Sequence, residues 1–257
     1  MKYHAQLVSD PGKPKSLDSV RILCISDTHG EHDSLDPSSF PPCDLVIFAG
    51  DLSMFGNPSE VSSFKKWFQS INCPNKLLIS GNLDLTFDTK NLDHFKDKIS
   101  HYVKTDVKLE TIKPDFLQNA DFIYAEHNLV EITISNHPIR IFASPYTPEF
   151  MDFGFQYKEK EQAKALWDQI PNDIDVLVTH GPPHNICDKS SSGFHCGCEV
   201  LRGAIERVKP ALSVFGHIHE AYGTDVFGDT LCCNVALVNQ SRKIANKPTY
   251  VDLIPYH

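Results

Sequence analysis

Apolar residues in this chain come in short runs separated by polar stretches of helical period. Val20-Arg-Ile-Leu-Cys-Ile25 and Leu45-Val-Ile-Phe48 are aliphatic or β-branched, of strand length, and each closes on a turn signal. Lys76-Leu-Leu-Ile79, Asp175-Val-Leu-Val178 and Ala211-Leu-Ser-Val-Phe215 read the same way. Residues 58–71 predict a helix. Val61, Phe64, Trp67 and Phe68 fall on one of its faces, and Pro58 suits a first turn. Residues 157–170 and 198–208 predict two more helices. Residues 122–125, 129–134 and 139–143 predict a run of short antiparallel strands, and 230–235 and 249–254 two strands in the tail. Residues 1–19, with Pro11, Gly12, Lys13, Pro14 and Lys15, predict a loose arm. Strand–helix alternation around an antiparallel middle predicts an α/β protein with mixed sheets. At about 150 residues per domain the chain holds less than two, so residues 1–257 are expected to form one domain.

Charge narrows the partners. Lys+Arg 24 against Asp+Glu 33 gives a net charge of −9, the wrong sign for a duplex phosphate backbone. The start of the chain holds no continuous apolar stretch, so no secretory signal is read there. The run Leu45–Ala49 is far too short to span a bilayer. Eight cysteines without a signal are expected to be reduced thiols, and the expected location is cytoplasmic. Cys196, Cys198, Cys232 and Cys233 lack the two-residue gap of structural zinc sites and are expected to be buried free thiols. Phe150, Phe153, Phe155 and Tyr157 are either a substrate-stacking lip or a packed loop. Asn239-Gln-Ser241 fits a glycosylation acceptor, expected to be idle.

The chemistry gathers where strands stop. Ser26-Asp27-Thr28-His29-Gly30, Gly50-Asp51, Gly81-Asn82-Leu83-Asp84, Thr179-His180-Gly181 and Gly216-His217-Ile218-His219 each follow one of the five runs. In open α/β sheets that edge is where ligands bind. Asp27 and His29 are two apart, as are His217 and His219, so in extended chain each pair shares a side. Such pairs converge on one cation or reach two. Asp27, His29, Asp51, Asn82, His180, His217 and His219 offer oxygen and nitrogen but no sulfur, which suits Mn, Fe or Zn. Seven ligands exceed the needs of a single catalytic zinc. Two ions sharing one Asp is the simplest arrangement.

The ordered set D-x-H, G-D, G-N-x-D, a lone His after a strand, and G-H-x-H resembles the calcineurin-like metallophosphoesterases across residues 20–219. Residues 175–183 (DVLVTHGPP) and 215–223 (FGHIHEAYG) resemble the metallophosphoesterase-domain-containing subgroup. The resemblance implies a four-layer α/β/β/α sandwich, two mixed sheets flanked by helices. It also implies one metal held by Asp27, His29, Asp51 and His219, and a second held by Asp51, Asn82, His180 and His217. Two such ions would clamp a phosphoryl group and ionise a water for in-line attack.

One position departs from the family pattern. Leu83 stands where the family usually carries a His that donates to the phosphate or the leaving oxygen, and some phosphodiesterase members lack that His too. A general acid contributes ~10²–10⁴-fold, so a slower enzyme, or one with undemanding leaving groups, is expected. His184 is the candidate replacement donor, and the role of Asp84, which would orient the missing imidazole, is open. The leading expectation is a two-metal phosphodiesterase acting on nucleotide-type or other small phosphodiesters. The alternatives are a nucleotide-binding scaffold of the same fold, a phosphomonoesterase, or a single-strand nuclease, with no duplex or membrane partner.

Overall fold

A computed structural model describes residues 3–256. One six-stranded sheet runs β1 (Tyr3–Leu7), β14 (Thr249–Pro255), β2 (Val20–Ile25), β3 (Leu45–Ala49), β4 (Lys76–Ile79) and β5 (Ile123–Tyr124). From β2 to β5 neighbours are parallel, and β14 joins both β1 and β2 antiparallel. The second sheet runs β12 (Gly223–Phe227), β13 (Thr230–Asn234), β11 (Leu212–Phe215), β10 (Val176–Thr179), β7 (His137–Ser144) and β6 (Asn128–Ile134). Its four central strands are parallel and both edges are antiparallel. Ser135 and Asn136, both with positive φ, make the two-residue turn between β6 and β7, as the twist of a hairpin favours. A two-residue parallel pair, β8 (Thr147–Pro148) with β9 (Gln156–Tyr157), sits in the connection from β7.

Central strands are apolar on both sides because both sides are covered. On the first sheet Ile22, Cys24, Leu45 and Ile47 pack against Ile141, Val176, Val178 and Val214 of the second. The alternate residues Leu23, Ile25, Val46 and Phe48 face the helices α1 (Pro58–Ser70) and α3 (Leu109–Leu117). Phe48 meets Phe64 edge-on with ring centroids 4.7 Å apart. On the far side Phe142 and Leu177 pack under α4 (Lys160–Trp167) and α5 (Glu199–Val208). Leu92, Phe95 and Ile99 of α2 (Leu92–Tyr102) join Leu85 in a smaller cluster. The layers are therefore α/β/β/α. Among the described residues no helix is long and apolar enough to cross a membrane.

Three expectations need correction. Most of the supposed N-terminal arm is tied down: Tyr3–Leu7 pairs residue by residue with β14, and Arg21 donates to the carbonyls of Pro11 and Lys13. Met1 and Lys2 of that arm lie outside the described residues. Ile123–Tyr124 does not belong to the antiparallel run; it pairs parallel with β4 and extends the first sheet. Cys196 is exposed, whereas Cys198, Cys232 and Cys233 are buried, and all eight cysteines are free.

Candidate metal centre

β2, β3 and β4 of one sheet and β10 and β11 of the other end along a common edge. His180 Nδ1, just past β10, donates 2.9 Å to the carbonyl of Ala49 at the end of β3, and Gly216 N donates to the His180 carbonyl. The turns that follow these strands carry Asp27, His29, Asp51, Asn82, His180, His217 and His219. Four of these residues, Asp27, His29, Asp51 and His217, hold positive φ in the left-handed region, where non-glycine residues cost roughly 1–3 kcal/mol. Strain of this kind concentrates at functional sites.

Two groups of ligand atoms form: Asp27 with His29 and His219, and Asp51 with His180 and His217, with atoms in each group within 4.8 Å of one another. Asp51 joins them, its Oδ2 lying 3.6 Å from His29 Nε2 and 3.3 Å from His180 Nε2. Asn82 completes the second group through Oδ1, 2.9 Å from His180 Nε2. The backbone comes as close as it can. A Cβ on Gly81 would sit 2.2 Å from Asp51 Oδ1, and one on Gly216 2.0 Å from Asp27 Oδ2.

The donor atoms fit cations. His29 Nε2 and His219 Nε2 face each other at 3.0 Å, so one nitrogen's lone pair points into the space between them. His180 spends its Nδ1 proton on Ala49, which turns Nε2 toward two acceptor oxygens, Asn82 Oδ1 and Asp51 Oδ2. Only an extra proton or a bound cation makes that contact attractive. A backbone carbonyl on Nδ1 is also the usual way a metal-binding imidazole is oriented. Asp27 is held from behind by Ser26 Oγ at 2.5 Å and by the His217 amide at 3.0 Å.

The electrostatics point the same way. Burial pushes the Asp27 carboxyl up, but the hydrogen bonds from His219 and His29 and the nearby His180 charge outweigh it and hold the group well below the usual range. Asp51 is lowered in spite of its burial by the charge and hydrogen bond of His180. His180 itself is driven to about 9: burial opposes its charge, and Asp51 and Asp27 prevail. His217, buried beside that charge, falls to about 4 and so is neutral at pH 7.

The remaining candidates sit differently. Asp84 is fully buried and accepts four hydrogen bonds: Leu52 N, Ser53 N, Ser53 Oγ and Gly81 N. Burial and the Asp51 charge raise it to about 7 against those donors. It knits the turn after β3 to the turn after β4. Leu83 is 4% exposed and contributes its backbone amide, 2.8 Å from Asp51 Oδ1. His184 is half-buried; its ring meets His195 edge-on and its Nδ1 lies 3.8 Å from Asp188 Oδ2. Of the aromatics in the 150–157 segment, Phe155 and Tyr157 are buried and Phe150 is exposed, so most of the segment is packed loop. Sequence reasoning missed Asp188 and His195, whose only local signal is a carboxylate and an imidazole seven residues apart in a glycine-flanked loop.

Two mixed sheets between helices, with carboxylates and imidazoles at their shared edge, define a metal-dependent phosphoesterase fold. The calcineurin-like phosphoesterase family model matches residues 20–221, and the chain belongs to that family, whose members are phosphoric ester hydrolases. Metallophosphoesterase domain-containing protein 1 of Homo sapiens and its Mus musculus counterpart are each 35% identical over 260 residues, covering 97% of this chain and 76% of theirs. A UPF0046 protein of Caenorhabditis elegans is 35% identical over 255 residues. That match covers 95% of this chain and 62% of the worm protein, so this chain spans less than two thirds of that relative. Among solved structures, phosphopantetheinyl hydrolase from Mycobacterium tuberculosis superposes with a TM-score of 0.56 at 18% identity. The overlap covers 88% of this chain and 92% of that one, a likeness of fold.

Proposed function

We propose that this chain hydrolyses small phosphodiesters, nucleotide-type ones among them, at a site built for two metal ions of the Mn, Fe or Zn kind. The observation that carries the reading is the position of Asp51, its Oδ2 within 3.6 Å of His29 Nε2 and 3.3 Å of His180 Nε2. On this reading Asp27, His29 and His219 hold one ion, Asn82, His180 and His217 the other, and Asp51 both. Two cations so held supply Lewis-acid polarisation of phosphoryl oxygens and a water ionised near neutral pH. The protein's part is orientation. Ser26 and the His217 amide fix Asp27, the Leu83 amide fixes Asp51, and the Ala49 carbonyl fixes His180.

The diester preference rests on position 83. An apolar side chain there presents no proton to a leaving oxygen, and none to the additional charged oxygen of a monoester dianion. With a net charge of −9, an anionic substrate is drawn by the site itself and not by the whole surface, which disfavours duplex nucleic acid.

The test compares bis-4-nitrophenyl phosphate with 4-nitrophenyl phosphate after chelation and again with Mn²⁺ restored. Turnover that returns with Mn²⁺ and favours the diester is expected. Turnover of the monoester alone would reverse the substrate class. Two bound ions with no turnover of either ester would make the chain a binding scaffold.

A further inference from the structure

Position 83 gives the metal centre no proton donor. Leu83 is apolar, Asp84 is sealed inside, and His29, His180, His217 and His219 each commit a ring nitrogen to the cluster with Asp27 and Asp51. His184 has its carboxylate neighbour 3.8 Å away, beyond hydrogen-bonding distance, so no hydrogen bond from Asp188 orients its ring. A second imidazole in the same loop is fixed.

Asp188 is 1% exposed, and its environment is built around it. Oδ2 accepts the backbone amides of Asn185 at 3.0 Å and Gly197 at 2.9 Å, and Oδ1 accepts Nδ1–H of His195 at 2.6 Å. A Cβ on Gly197 would meet Pro183 O at 2.4 Å and Asp188 Oδ2 at 2.8 Å, so the loop closes as tightly as a backbone allows. With Nδ1 committed to Asp188, Nε2 is the free edge of a ring that is 41% exposed, and it makes no hydrogen bond among the described residues. Burying a carboxylate is costly unless its partners repay the lost hydration. Here that burial orients one accessible imidazole.

The loop lies beside the metal ligands. Asn234 Nδ2 donates both to Cys187 O at 3.0 Å and to Ile218 O at 2.9 Å, which pins the loop against the turn holding His217 and His219. His195 lines an open cavity of about 450 Å³ together with Glu220 and Ala221, the two residues that follow His219.

We infer that His195, positioned by Asp188, is the proton donor to the leaving oxygen, an inference that rests on the phosphodiesterase reading above. The oxygen of water bonds to phosphorus, and the bond from phosphorus to the leaving oxygen breaks with its electron pair on that oxygen. That oxygen takes the proton from His195 Nε2. The attacking water releases its own proton to solvent, from which Nε2 is recharged. Diester and water become monoester and alcohol. Asp188 keeps the Nδ1 proton throughout, so the ring donates from Nε2 as the imidazolium and is left as the neutral Nδ1–H form.

The test uses the full chain loaded with Mn²⁺ and a series of phosphodiesters whose leaving groups run from 4-nitrophenoxide through phenoxide to an alkoxide. For His195→Gln, kcat/KM on the 4-nitrophenyl ester should stay within about threefold of wild type. The deficit should grow toward ~10²–10⁴-fold on the alkyl ester, the range a general acid supplies. Asp188→Asn should steepen the dependence in the same direction, and the double variant should lose little more than His195→Gln alone. Metal content of His195→Gln should match wild type, because the ring is outside the ligand set, and its melting temperature should fall only modestly, because the glutamine amide can replace the donor to buried Asp188. Nitrogen NMR of the metal-free chain should show His195 protonated at Nδ1, and that signature should vanish in Asp188→Asn. An equal loss across the ester series, or an Nε2–H tautomer, would overturn the role of His195 while leaving the phosphodiesterase reading intact. Absence of any wild-type turnover would refute that reading, and the His195 role with it.

Discussion

The backbone amide of Leu83 donates 2.8 Å to Asp51 Oδ1, while Oδ2 of the same carboxylate faces His29 and His180. The position at which the chain departs from its family is therefore still part of the site, through its main chain. Leu83→Ala keeps the amide and should keep the full metal content of wild type. Its cost appears as stability, about 2–5 kcal/mol for truncating a buried leucine. Asp51→Asn, by contrast, weakens the one carboxylate both ion positions share and should lose at least one equivalent. Elemental analysis after dialysis separates the two, and a Leu83→Ala protein short of metal would show that the side chain matters.

Glycine variants test how closely the backbone must approach the ligands. The Cβ of Gly81→Ala would fall 2.2 Å from Asp51 Oδ1 and 2.5 Å from its backbone nitrogen, and that of Gly216→Ala 2.0 Å from Asp27 Oδ2. Either change must displace a ligand carboxylate, and activity should fall by on the order of 10²-fold, the usual penalty for a misplacement of about 1 Å. Gly203, exposed within α5 with nothing within 4 Å of an added methyl, is the control. Gly203→Ala should raise stability by about 0.5–1 kcal/mol and leave kcat/KM unchanged. If all three variants behaved alike, the contacts at positions 81 and 216 would be irrelevant.

How much of this was legible in the sequence follows from what each feature depends on. Asp27, Asp51, His180 and His217 were visible because each follows a run apolar enough to be a buried strand, and a strand's end is a local signal. The structure brings these turns to one edge. Helices α2 and α3 left little trace. α2 buries only Leu92, Phe95 and Ile99 among charged neighbours, and α3 carries Pro114 within it, a residue that argues against a helix. β1 holds its place by backbone pairing with a strand more than two hundred residues away, which no local pattern records. The Asp188–His195 pair depends in the same way on a loop closing against Pro183 and Gly197.

Proton and metal compete for His180. In the metal-free chain its folded-state value is about 9, above the ordinary 6.5, so its contribution to stability is complete below about 6.5 and is lost as pH rises through about 9. His217, depressed to about 4, works oppositely: between about 4 and 6.5 the unfolded chain binds the extra proton, so its contribution rises with pH. The chelated protein should therefore lose melting temperature from about pH 6.5 toward 9. With metal bound, a cation replaces the His180 proton, that loss should disappear, and metal affinity should instead weaken as pH falls. Parallel melting series with and without chelator check this, and identical slopes above pH 6.5 would mean that His180 does not hold the competing proton.

The left-handed backbone at the ligands makes a separate prediction about stability. His217 sits at φ 69, a conformation that costs a residue with a Cβ roughly 1–2 kcal/mol relative to glycine. Both His217→Gly and His217→Ala remove the imidazole and should bind one fewer ion, so in metal-free protein they differ only in backbone fit. Ordinarily alanine is the more stabilising of the two, because glycine loses more entropy on folding. At this position the order should invert, with His217→Gly the more stable by about 1 kcal/mol in urea unfolding of the chelated chain. The strain is kept because the turn aims the imidazole at Asp51 and His180, and the glycine variant should be inactive in spite of its better backbone. Alanine ahead of glycine would mean that the turn relaxes once the imidazole is gone, and that the strain belongs to the ligand contacts and not to the backbone between Gly216 and Ile218.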